Sequence, residues 1–65
     1  MTILILLLGF VATAQNEALF DRANTAYNEG DYNKSIETYL LILDKGQHSA
    51  ELYFNLGNSY YKLNQ

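Results

Sequence analysis

Moved along itself by 34 residues, the chain falls into register. Glu17 lies on Glu51, Phe20 on Phe54, Asn24 on Asn58 and Tyr27 on Tyr61. Between them Ala23 meets Gly57 and Thr25 meets Ser59, pairs of similar size. Chance supplies one or two such identities in a short window. Three of these lie at i, i+4 and i+7, the spacing of one helical face. Self-similarity at this period points to a repeated helical unit, and such units bury their apolar faces on one another.

Breakers and caps divide the chain into three expected helices. Residues 16–29 are helix formers with Leu19, Ala23, Ala26 and Tyr27 on one face. Gly30 suits the left-handed position that ends a helix, and Asp31 can cap the next. The second helix is expected over about 32–45, with Ile36, Tyr39, Leu40, Ile42 and Leu43 apolar. Gly46 closes it, with Lys45 favourable at the negative end of the dipole. Ser49 is a good N-cap for a third helix from 50 to about 62, with Glu51 in its first turn. Short connections imply antiparallel neighbours, so the expected fold class is all-α. In the third helix Tyr53, Leu56, Gly57 and Tyr60 share a face. Gly costs roughly 1 kcal/mol relative to Ala inside a helix. The expectation is therefore a neighbouring helix drawn close against Gly57.

The spacing of Tyr53, Leu56, Gly57 and Tyr60 resembles the first helix of a tetratricopeptide (TPR) repeat, W-x₂-L-G-x₂-Y, with Tyr53 in place of Trp. The resemblance covers residues 16–65. Gly30-Asp31-Tyr32 is similar to the turn between the family's paired helices, Ser35 to its small residue in the second helix, and Tyr39 to the aromatic after it. Arg22 departs from the usual Leu, Ala26 from an aromatic, Ile42 from a small residue and Gln47 from Pro. A weak first repeat fits a terminal, capping unit. The resemblance implies a solenoid fragment: repeat 1 over 16–49 and the first helix of repeat 2 over 50–65. It implies packing between helices by Leu19, Ala23, Ser35, Tyr39, Tyr53, Leu56, Gly57 and Tyr60. It further implies that Phe20, Asn24, Tyr27, Phe54, Asn58 and Tyr61 line a concave groove that receives a protein or peptide partner. Together with the leading apolar segment, the chain also resembles the amino end of TPR proteins from bacterial aerotolerance (Bat-type) operons.

That segment runs from residue 3 to 11, apolar apart from Gly9. It is shorter than the roughly 20 residues that span a bilayer and fits the apolar core of an export signal. Ala12-Thr13-Ala14 supplies a small-x-small cleavage pattern, so residues 1–14 are expected to be removed, leaving Gln15 first. No Lys or Arg follows Met1. The expected location is the periplasm or envelope. Retention of residues 1–14 as an anchor, giving a membrane-tethered structural subunit, is the rival expectation. A second rival is a docking module of a longer enzyme. The third helix ends where a turn and partner helix should follow, so further repeats in a parent chain are expected; a small peptide that dimerises or folds on a partner is the alternative.

Composition closes other routes. With no Cys there is neither a disulfide framework nor a thiolate metal site. A net charge of −3 gives no footprint for nucleic acid. His48 is the sole His, and neighbouring Ser49 and Glu51 serve better as helix-start residues than as catalytic partners. Glu17 and Asp21 lie one turn apart, but two acids make a poor cation site. No phosphate loop, Rossmann glycines or HExxH motif is present. The expectation is a binding protein without catalysis, cofactor, metal or small-molecule substrate.

Overall fold

The computed structural model describes residues 16–65; the expected export signal over 1–14 and its cleavage point lie outside them. The described residues form three helices and no strand: α1 over 16–28, α2 over Tyr32–Asp44 and α3 over Ala50–Leu63. None of these helices is long and apolar enough to cross a membrane.

The boundaries follow from local chemistry. Gly30, at φ 82°, takes the left-handed conformation that ends α1. The Gly30 amide donates to Tyr27 O at 3.1 Å and the Asp31 amide to Ala26 O at 2.9 Å, using carbonyls that the helix leaves open. Asp31 then caps α2 by accepting from the Lys34 amide. Gly46, at φ 85°, ends α2 in the same way, and the Gln47 amide returns to Ile42 O at 3.3 Å. Ser49 accepts from the Leu52 amide at 3.1 Å and starts α3, with Glu51 in the first turn and Lys62 in the last.

α2 lies at the centre. It buries Ser35, Ile36, Thr38, Tyr39 and Ile42, an arc broad enough to meet a helix on either side. The core joins Ala23 of α1, Ile36, Tyr39 and Ile42 of α2, and Leu52 and Leu56 of α3, with Leu19, Phe20 and Leu43 packed against it. Where α2 meets α3, two fully buried hydroxyls face each other: Ser35 donates to Ser59 at 2.9 Å. Ser59 in turn donates to its own helix at Asn55 O, 2.8 Å away. Small residues on both helices bring the backbones close, and the paired hydroxyls remove the penalty of burying either alone.

That contact corrects the face expected of α3. Leu52, Leu56 and Ser59 are buried, whereas Tyr53 and Tyr60 are 51% and 43% exposed. Gly57 is exposed too, and nothing among the described residues lies within 4 Å of a Cβ built there. Only Leu56 belongs to both faces. The helix is turned by about one residue, roughly 100°, because Ser59 rather than Gly57 is the small residue pressed against α2. On α1 the expected face holds: Ala23 and Ala26 are buried and Leu19 and Tyr27 half-buried.

Two stability outcomes follow. Gly57→Ala gains helix propensity with nothing to clash, so it should stabilise the chain by about 1 kcal/mol, read as a higher urea midpoint at unchanged slope. A loss of stability would mean that the Gly57 face is already covered. Leu52→Ala, at a site 1% exposed, should cost about 2–5 kcal/mol. A core this small supplies little more than that, so circular dichroism should show most of the helicity gone.

Candidate partner-binding surface

The two copies of the repeated stripe have different surroundings. On α1 the stripe turns inward. Phe20 sets its ring edge-on to Tyr39, with centroids 6.0 Å apart and planes at 71°. The Tyr39 hydroxyl donates to Asn24 Oδ1, and Asn55 Nδ2 of α3 donates to that same oxygen from 3.2 Å. Tyr27 meets Tyr32 edge-on at 5.7 Å. Asn24 is thus a junction between all three helices, its oxygen occupied within the fold.

On α3 the copy turns outward. Phe54 is 69% and Tyr61 65% exposed, with half-buried Asn58 between them. Tyr53 and Tyr60 extend this row around the helix, making an aromatic surface with an amide in its middle. Such a surface presents rigid apolar area at low entropic cost, together with a donor and an acceptor. The six residues expected to line one groove are therefore divided: Phe20, Asn24 and Tyr27 pack within the fold, while Phe54, Asn58 and Tyr61 face outward.

His48 lies beside this surface. Its Nδ1 is 2.6 Å from the Tyr53 hydroxyl, and the two rings sit 5.9 Å apart, tilted by 31°. Ser49, its neighbour, spends its side chain capping α3. A cleft of about 360 Å³ opens between the start of α1, the end of α2 and the connection before α3, lined by Glu17, Phe20, His48, Glu51 and Leu52 among others. Among the described residues no three His, Cys, Asp or Glu side chains come together as a metal site.

Asn55 and Ser59 carry contacts that the sequence reading did not assign. Each pairs with a partner more than twenty residues away, Asn24 and Ser35. Asn55 stands opposite Asp21 in the 34-residue register, so the repeat offers no hint of it. Ser59 stands opposite Thr25, a match in chemistry that does not reveal which copy is buried.

Comparison with family models, curated proteins and solved structures found no match.

Tyr39 has no exposed surface, and this desolvation raises its pKa above the ordinary 10.0. The side chain of Asn55 works the other way, while the negative charges of Glu51 and ionised Tyr27 add to the rise. A folded-state pKa above the unfolded one means that the native state holds the proton more firmly. The stabilisation is complete below the unfolded pKa and is lost as pH rises through the folded one. Unfolding followed from pH 8 upward should therefore show stability falling beyond about pH 10, and Tyr39→Phe should flatten that fall. An equally steep decline in Tyr39→Phe would remove Tyr39 as its source.

Proposed function

We propose that this chain is a protein-interaction module of the TPR type, exported to the bacterial periplasm or envelope, without catalysis of its own. The exposed row of Phe54, Asn58 and Tyr61 on α3 carries this reading. A helix that leaves four tyrosines and phenylalanines open to solvent beside an amide has the composition of a recognition surface. The 34-residue register, the Gly-Asp turn between α1 and α2 and the all-helical packing support the family assignment. The apolar segment 3–11 with Ala12-Thr13-Ala14 behind it supports export, and further repeats in a parent chain would extend the same surface. A partner peptide or helix would lay its backbone across Asn58, with Phe54 and Tyr61 taking its apolar side chains.

The role of Asn24 differs from that of its copy. With its oxygen held by Tyr39 and Asn55, it serves the fold, and Asn58 is left as the amide offered to a partner.

Replacing Phe54 and Tyr61 together by Ala should weaken partner capture from extracts of the source cells by more than about tenfold and leave helicity unchanged. Asn24→Ala should do the reverse, lowering stability by about 1–3 kcal/mol, because it leaves the buried Tyr39 hydroxyl without its acceptor. Undiminished capture by the Phe54 and Tyr61 variant would refute the surface. The amino-terminal residue of the exported protein tests location: Gln15 is expected, and an intact Met1 would favour a membrane-held structural subunit instead.

A further inference from the structure

We infer that the cleft at the common end of the three helices receives a basic side chain, Lys or Arg, from a partner segment lying along α3. This rests on the interaction-module reading above and names what the partner must carry. The cleft encloses about 360 Å³ between the start of α1, the end of α2 and the connection before α3. That volume is ample for one side chain. Its apolar wall is made by Phe20, Ile42 and Leu52. Ile42 and Leu52 are 2% and 1% exposed, so the cleft reaches down to the core. Glu17 and Glu51 stand at its rim, both exposed to solvent.

Charge selects the occupant. The chain has four basic side chains, Arg22, Lys34, Lys45 and Lys62, and none of them lines this cleft. Arg22 and Lys45 line a separate one, with Leu19 and Leu41. Glu17 and Glu51 are also an identity of the 34-residue register, so each copy of the unit brings an acid to the same opening. An acid in the first turn favours its own helix, which accounts for either Glu alone. It does not account for both meeting at one apolar wall. His48 turns Nδ1 to the Tyr53 hydroxyl, 2.6 Å away. The opening therefore fits a cation on an apolar stem, with methylenes against Phe20, Ile42 and Leu52 and the charge at the carboxylates. The source of that cation follows from α3. Glu51, Phe54, Asn58 and Tyr61 fall at i, i+3, i+7 and i+10, along one side of the helix. The exposed row thus begins at the cleft, and a segment lying on Phe54, Asn58 and Tyr61 passes its mouth. A free organic cation would lack those added contacts.

A labelled peptide with one Lys between two Leu-Ala-Leu stretches supplies this chemistry in either chain direction. Its uptake by the 65-residue chain can be followed by fluorescence anisotropy. Saturable one-to-one binding is expected. Glu17→Gln combined with Glu51→Gln should weaken it by about tenfold, as for two partly exposed charge pairs, and should flatten its dependence on salt. Both positions are exposed, so folding is retained. Norleucine in place of the peptide's Lys should cost the unaltered chain the same factor and the double variant nothing further. Glu29→Gln combined with Glu37→Gln removes the same charge away from the cleft and should change little. Uptake indifferent to the Glu17 and Glu51 changes, or to norleucine, overturns the assignment. So does equal weakening by the Glu29 and Glu37 changes, which would mean that net charge alone attracts the peptide. Cadaverine binding as tightly as the peptide would also overturn it, giving the cleft to a free diamine. If the peptide is refused while a partner is still captured through Phe54 and Tyr61, the module reading stands and only its basic anchor falls.

Discussion

The Tyr39 phenol is enclosed by three helices, and everything else in the arrangement accommodates its hydroxyl. A buried hydroxyl without a partner costs roughly 1–3 kcal/mol, a large share of what so small a core supplies. Tyr39 donates to Asn24, and Asn24 accepts from Asn55 at the same oxygen. One residue from each helix therefore meets at a single polar point inside an apolar cluster. Apolar packing alone would allow the helices to slide or rotate at little cost, whereas this point fixes how α1 and α3 stand about α2. The Ser35–Ser59 pair acts in the same sense on the α2–α3 contact. Among the described residues no buried side-chain polar atom is left without a partner.

With α2 held between them, the two similar helices use different faces. α1 buries Ala23 and Ala26, while α3 buries Leu52, Leu56 and Ser59. The substitutions between the copies follow from this. Leu56 faces α2 and is apolar, whereas its counterpart Arg22 faces solvent and is charged. Ala26 is buried and small, whereas its counterpart Tyr60 is large and 43% exposed. A repeat of this kind stays repetitive where both copies meet the same environment and diverges where the neighbour changes. The shared aromatic and amide positions are the case in which sequence stays alike and surroundings differ: Phe20 is half-buried, Phe54 mostly exposed.

Much of the architecture was written in local chemistry. Gly30, Asp31, Gly46 and Ser49 act through their own backbone and nearest neighbours, so they placed the helix ends to within about a residue without knowledge of what packs where. The 34-residue register likewise identified α1 and α3 as copies, because it depends only on residue types in order. Which side of α3 would be buried was a different matter. Its stripe through Tyr53, Leu56, Gly57 and Tyr60 and its stripe through Leu52, Leu56 and Ser59 are neighbours, and helical periodicity favours neither. The choice fell to a contact between residues 24 apart, Ser35 and Ser59, just as the inward role of Asn24 depended on Asn55, 31 residues away. Residue order alone carries the elements and their ends, which arise within a turn or two of chain, and the kinship of α1 and α3, which is a matter of residue types. Which faces meet follows from the folded arrangement, because close approach and buried hydrogen bonds depend on residues that only folding brings together.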